Sequence, residues 1–210
     1  CTYCLSDEMH KEEADFEDIK KVLLWASESA VKQIRFYGGE PTVYPYFEEL
    51  MSEIVKRGFR VSFPTNLMTT GKELEAMHAE SIDVVICHIR SLKETDNDYD
   101  LFLKNARRLK EKNVRFVLRY NLFNENWEFL LNAIKTLSCK ELWFASIVTP
   151  DSAKTSTREQ WSQVVSLVAR FSQYLLDHHV KPILAKPVPL CAVADNDFKY
   201  LWSLFRGHCN

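Results

Sequence analysis

The chain has 210 residues, enough for one domain with a sizeable core, and its 46% hydrophobic and 12% aromatic content excludes an intrinsically disordered polymer. A net charge of -2 gives no electrostatic basis for binding nucleic acid or an anionic membrane, and no apolar run approaches membrane-spanning length. Six unevenly placed cysteines in a chain of this size argue against a secreted disulfide scaffold and for a reducing cytoplasm, while the charge and hydropathy lead to the expectation of no membrane and no nucleic-acid partner.

The chain opens on Cys1-Thr2-Tyr3-Cys4. This C-x-x-C suits half of a zinc site, a redox dithiol, two ligands of an iron–sulfur cluster, or two ordinary cysteines. Zinc needs a second pair or histidines at finger spacing, and none follows closely. Asp15 to Val31 then carries Phe16, Ile19, Val22, Leu23 and Ala26 at helical spacing, which predicts an amphipathic helix capped near Asp15. Gln33 to Glu40 reads as a strand closing on Phe36-Tyr37-Gly38-Gly39-Glu40-Pro41. Adjacent glycines at a strand end let a ligand approach the backbone, and Pro41 biases Glu40 towards an extended conformation. Such an edge suits a small cationic group, although Gly-Gly also occurs in plain loops.

Further along, Tyr46 to Lys56 predicts a helix with Phe47, Leu50, Met51, Ile54 and Val55 inward, stopped by Gly58. Strands follow at Arg60 to Asn66, Asp83 to Ile89, Val114 to Leu122 and Glu141 to Val148. Helices are expected at Lys72 to Ala79, Asp100 to Lys112, Trp127 to Leu137 and Thr157 to His179. Strand starts recur roughly every 25 to 30 residues, the beat of βα units in a parallel sheet. No G-x-G-x-x-G or Walker loop follows a strand, so a nucleotide-binding open sheet loses ground to a barrel with its chemistry at the C-terminal strand ends. Five strands are legible and a further one is expected before Cys1. The fold class is therefore α/β, a partial (β/α)6 TIM-like barrel of parallel strands whose first strand is missing from this chain. Pro182, Pro187 and Pro189 break the pattern from Lys181.

At the predicted strand ends stand Gly38, Gly39 and Glu40; Thr65 and Asn66; His88 and Arg90; Arg119 and Asn121; and Ser146. Each has a structural alternative, His88 as a core histidine and Arg90 as a solvated loop residue. Arg119 lies within Val117-Leu118-Arg119-Tyr120, where a charge needs a partner or a ligand carboxylate. Together the groups suit a molecule with both an ammonium and a carboxylate.

Cys1-Thr2-Tyr3-Cys4, followed after one helix by a strand ending Gly38-Gly39-Glu40-Pro41, resembles the radical S-adenosylmethionine (SAM) enzymes, especially the SPASM subgroup with auxiliary clusters. The resemblance implies that Cys1 and Cys4 are two of three ligands of a [4Fe–4S] cluster, with the third upstream of this chain, and that Tyr3 lies beside the adenine. It implies that Gly38, Gly39, Glu40 and Pro41 hold the methionyl ammonium and that Thr65 and Asn66 lie near the same ligand. Arg119 and Asn121 would meet the carboxylate and ribose, and Ile147 the adenine. At the fourth strand of the family's pattern, where relatives often read V-S-x-D-G, this chain has Cys87-His88-Ile89-Arg90-Ser91, which puts the ribose contact and the substrate class in doubt. His88 is nonetheless counted with the cofactor site.

The resemblance further implies residues 1–180 as a radical SAM partial barrel and 181–210 as the start of a SPASM- or twitch-like extension, with Cys191 and Cys209 as candidate auxiliary-cluster ligands. Cys87 and Cys139 read as packed thiols. The chain is expected to be an excerpt of a longer protein. The implied activity is reductive cleavage of SAM to a 5′-deoxyadenosyl radical that takes hydrogen from a substrate, a peptide or protein or an anionic small molecule, with flavodoxin or ferredoxin as electron donor. The alternative is a catalytically silent βα-barrel scaffold whose cysteines hold zinc or no metal. An ordinary barrel lyase would want a Schiff-base lysine or a metal-binding carboxylate set at the strand ends, and neither is present.

Overall fold

A computed structural model of the chain describes residues 13–37, 39–89, 97–122, 127–146 and 158–185. Helices α1 (Phe16–Glu28), α2 (Phe47–Lys56), α3 (Gly71–Ala76), α4 (Asn97–Glu111), α5 (Glu128–Leu137) and α6 (Arg158–Asp177) alternate with strands β1 (Gln33–Arg35), β2 (Arg60–Thr65), β3 (Ile82–Ile89), β4 (Phe116–Leu122), β5 (Glu141–Ser146) and β6 (Lys181–Leu184). The strands form one open parallel sheet in chain order, β1 to β6, the arrangement of a partial TIM barrel. The strand β6 was not foreseen: it is short and begins Lys181-Pro182, and the proline there reads locally as a breaker. Two compact units make up the chain, Cys1–Val117 and Leu118–Asn210.

In the first unit, the Asp15 carboxylate caps α1 by accepting from the backbone N–H of Glu17 at 2.7 Å and of Asp18 at 3.4 Å. Only Leu23 and Ala26 of α1 are buried; Val22 is 61% exposed, against its expected inward position, and Trp25 is 65% exposed. The apolar stripe of α1 is wider than the seam it presents to its neighbour α2. Helix α2 buries Phe47, Leu50, Met51 and Ile54 but leaves Val55 at 41% exposure, again at the edge of the stripe. Its end is a Schellman turn: Gly58 has φ +68°, its N–H donates to Val55 O at 3.0 Å, and Phe59 N donates to Ile54 O at 3.1 Å.

Strand β1 is three residues long where eight were expected, and the reason lies in its neighbour. Parallel pairing aligns Gln33 with Arg60, Ile34 with Val61 and Arg35 with Ser62. Arg60 N donates to Lys32 O at 2.9 Å, and Phe36 N donates to Ser62 O at 3.0 Å. Two residues further along β2, the next ladder donor falls on Pro64, which has no N–H. The ladder stops there, and the chain after Phe36 is released from the sheet. Phe63, between Ser62 and Pro64, packs edge-on to Phe47 of α2 at 5.8 Å, so alternation puts Phe63 and Thr65 on the helix side and Ser62 and Pro64 on the opposite, inner face. Across β3, Thr65 aligns with Cys87, which is fully buried as expected of a packed thiol, and His88 turns to the inner face, half-buried.

The second unit is organised around Phe171 of α6, fully buried, whose ring meets Trp127 at 4.9 Å, Phe144 at 5.0 Å and Tyr120 at 5.8 Å. These contacts assign the helix side of β4 to Leu118, Tyr120 and Leu122. Arg119 and Asn121 therefore lie on the inner face, in register with Trp143 and Ala145 of β5.

Candidate functional site

At the C-terminal end of β1 the released chain makes a sharp, braced turn. Glu40 is extended (φ -99°, ψ 110°), as a residue before proline prefers, and Pro41–Val43 form one turn of 3₁₀ helix behind it. Both oxygens of the Glu40 carboxylate are engaged. Oε1 accepts from the Thr42 hydroxyl at 2.8 Å and the Thr42 N–H at 3.3 Å, and Oε2 accepts from the Asn66 N–H at 2.6 Å. Thus Glu40 ties the end of β1 to the end of β2, across the place where Pro64 ended the ladder. A carboxylate acceptor makes this a charge-assisted link, stronger than the peptide hydrogen bond it replaces.

The loop after β2 is braced just as fully. The Thr65 hydroxyl, buried on the helix side, accepts from Leu67 N at 3.0 Å, and Asn66 Oδ1 accepts from Met68 N at 2.8 Å. Leu67 is in the left-handed region at φ 56° with its side chain fully buried. Beyond it, the hydroxyls of Thr69 and Thr70 both donate to Glu73 Oε2 at 2.8 Å. Burial pushes the Glu73 carboxyl up, but its own backbone N–H and those two hydroxyls outweigh it and hold the group below the ordinary carboxylate value.

Gly39 stands between these braces and solvent. A Cβ built on it meets nothing within 4 Å, and its φ lies outside the left-handed region, so neither packing nor backbone conformation demands glycine there. What the missing side chain leaves is open space against a rigid backbone edge. That space is what a ligand approaching the peptide groups would fill.

Of the residues singled out in the sequence, Gly39, Glu40, Pro41, Thr65, Asn66 and His88 are thus placed at the C-terminal ends of β1, β2 and β3 in the first unit. Arg119 and Asn121 are placed on the inner face of β4 in the second. Cys1, Tyr3, Cys4, Gly38, Arg90, Ile147, Cys191 and Cys209 lie outside the described residues. Among the described residues no group of three or more His, Cys, Asp or Glu could hold a metal ion, and no helix is long and apolar enough to cross a membrane. Trp143 escaped the sequence reading. Half-buried beside Arg119, it donates its indole N–H to Glu141 Oε1 at 3.2 Å, and its inner-face position was legible only from the alternation Leu142-Trp143-Phe144-Ala145.

The family model of the Radical SAM superfamily matches residues 1–137. This chain belongs to the radical SAM superfamily. Membership implies a [4Fe–4S] cluster and SAM. As a radical SAM protein it is 31% identical over 102 residues to a tungsten-containing aldehyde ferredoxin oxidoreductase cofactor-modifying protein of Pyrococcus furiosus, covering 46% of this chain and 29% of that one. It is also 31% identical over 147 residues to a PqqA peptide cyclase of Granulibacter bethesdensis, covering 62% of this chain and 38% of the relative. Among solved structures, Streptococcus suis SuiB bound to its precursor peptide SuiA superposes with a TM-score of 0.68 at 15% identity, over 97% of this chain and 48% of that one. The chain spans less than half the length of each of these three proteins. The open space beside Gly39, at a braced strand end, fits the approach of SAM; the candidate cluster ligands fall outside the described residues.

Proposed function

We propose that this protein is a radical SAM enzyme of the peptide- or protein-modifying kind, in which the Gly39–Glu40 edge receives the ammonium of SAM. The observation that carries the reading is the braced, open edge at the end of β1, in a chain of this superfamily. When bound, the cluster and SAM supply a 5′-deoxyadenosyl radical for hydrogen abstraction. The chain's own residues do the holding. Peptide groups flanking Gly38 and Gly39 accept the ammonium, and Glu40 acts as a positioning residue, since its oxygens already serve Thr42 and Asn66. Pro41 keeps Glu40 extended, while Thr65 and Asn66 shape the adjoining loop. On the second unit Arg119 takes the ligand carboxylate, Asn121 the ribose, and Ile147 the adenine, with Tyr3 beside that ring. His88, on the inner face of β3 in the first unit, is counted with the cofactor site. Cys1 and Cys4, with a third cysteine upstream, hold the cluster.

In this reading residues 1–180 form the radical SAM domain and 181–210 begin a C-terminal extension, which β6 attaches to the sheet; Cys191 and Cys209 there are ligands of an auxiliary cluster. A peptide substrate is supported by the peptide named with the Granulibacter cyclase and with SuiB. A flavodoxin or ferredoxin supplies the electron, in the cytoplasm. The test is to purify the full-length protein without oxygen, reconstitute the cluster, and measure 5′-deoxyadenosine after reduction. Production of 5′-deoxyadenosine in proportion to cluster content is the expected result. An intact cluster with no SAM cleavage under any reductant or peptide sinks the enzymatic reading.

A further inference from the structure

Asn105 is a polar residue of α4 in the core of the first unit, only 4% exposed. Its Nδ2 donates to Leu67 O at 2.8 Å and to Thr69 O at 3.1 Å. Both partners are carbonyls, which accept only, so the amide orientation is unambiguous and both of its N–H bonds are engaged. Leu67, which carries the first of those carbonyls, is left-handed, a conformation that costs a residue other than glycine roughly 1–2 kcal/mol unless its surroundings enforce it. The loop is therefore gripped twice. From the helix side Asn105 holds Leu67 and Thr69, and from the sheet side Glu40 holds the Asn66 N–H at 2.6 Å.

We infer that Asn105 is a positioning residue for SAM binding: by clamping the loop after β2 it fixes the Asn66 N–H that orients Glu40, and through Glu40 the ligand-facing peptide of Gly39. The inference rests on the proposed function. The coupling runs through two hydrogen-bonded steps joined by one peptide bond: Asn105 to Leu67 and Thr69, Leu67 to its chain neighbour Asn66, and Asn66 to Glu40, with Asn105 acting through the loop and not on the ligand itself. A buried polar side chain without such work would be costly to keep, because an apolar residue of the same volume would satisfy the core better.

The test uses the full-length, cluster-reconstituted protein and Asn105→Ala, which removes both donors while leaving room for a water to serve the two carbonyls. Three kinds of measurement are made: SAM affinity by calorimetry, the steady-state kinetics of SAM cleavage, and backbone amide exchange. The expected result is a roughly tenfold weaker SAM affinity with a rise in the KM for SAM and little change in the saturated rate, and faster exchange at Asn66, Leu67 and Met68 with Val85 unchanged. Asn105→Ser, which keeps one donor, should fall between, and takes over the test should the alanine variant fail to fold. SAM affinity within twofold of the parent overturns the inference, whether or not the loop amides exchange faster. A parent protein with an intact cluster and no affinity for SAM at all instead overturns the proposed function, and the inference with it; the exchange data then still report whether Asn105 holds the loop.

Discussion

Replacing Glu40 by glutamine tests the brace at the end of β1 most directly. The carboxylate accepts from three donors, Thr42 Oγ1 at 2.8 Å, Thr42 N at 3.3 Å and Asn66 N at 2.6 Å, divided between its two oxygens. Glutamine has one oxygen and one NH₂. Turned towards Asn66, the NH₂ opposes an obligate N–H donor; turned towards Thr42, it opposes the Thr42 N–H, although the hydroxyl there can rotate to accept. The loss is a hydrogen bond to a charged acceptor, worth about 1.5–3 kcal/mol. For a domain of this size each kcal/mol moves the midpoint by about 2–4 °C, so Glu40→Gln should lower Tm by about 3–12 °C. Thermal unfolding of the reconstituted protein by scanning calorimetry, without oxygen, is the assay. Thr42→Val, which deletes only the 2.8 Å hydroxyl bond, should cost less than Glu40→Gln. A Glu40→Gln midpoint within a degree of the parent would show that these bonds do not hold the edge, and the positioning role of Glu40 would fall with them.

Gly39→Ala should leave Tm unchanged or slightly raised, because the added methyl meets no atom and the backbone is not left-handed, yet it should weaken SAM binding tenfold or more in calorimetry. Gly58→Ala is the converse control: at φ +68° it should destabilise by about 1 kcal/mol in denaturant titration and leave SAM affinity untouched. Pro64→Ala restores the missing ladder donor opposite the Phe36 carbonyl; stability should hold or rise, with slower amide exchange at residue 64 than at neighbouring loop amides, while SAM affinity falls as β1 is drawn back towards the sheet. Because the folded-state pKa of Glu73 lies below the ordinary value of 4.5, its ionised form stabilises the fold above that value and the contribution disappears as pH falls through the depressed folded pKa. Glu73→Gln should therefore be less stable than the parent at pH 7, with the difference shrinking in titrations carried below the ordinary carboxylate range.

Helix and strand alternation was legible because each element carries its own period and most carry a local stop. Gly58 announced the end of α2, and Asp15 the start of α1. Other helix ends were blurred because they use the same left-handed turn without glycine: Ala30, Asn113, Ser138 and His179 all have φ between 55° and 60°. Those residues adopt it because the following backbone bonds enforce it, as Val114 N to Leu109 O at 2.9 Å does after α4. Such a bond forms across the helix end whichever residue stands at the turn, so no glycine marks these ends in the sequence. The glycines and acid of the site were visible as a motif, but the use of the acid was not. A carboxylate beside two glycines reads as a ligand contact; only the positions of Thr42 and Asn66 show that its oxygens are taken.

The shortness of β1 and the bracing of its end have one origin. Pro64 removes a backbone donor, and the sheet can no longer hold the chain after Phe36 by its regular ladder. A strand end freed in that way would ordinarily fray, since a peptide edge with neither ladder nor packing has little to oppose its conformational entropy. Here the lost backbone bond is replaced by a side-chain one, from Asn66 N to Glu40 at 2.6 Å, placed four residues beyond Phe36. The chain is thereby held at Phe36 by the sheet and again at Glu40 by a side chain. That combination is what a binding edge requires: a strand end released from the ladder, in a position the fold still fixes. Asn105 extends the same logic one layer outward, because Glu40 can anchor the edge only as firmly as Asn66 is itself held.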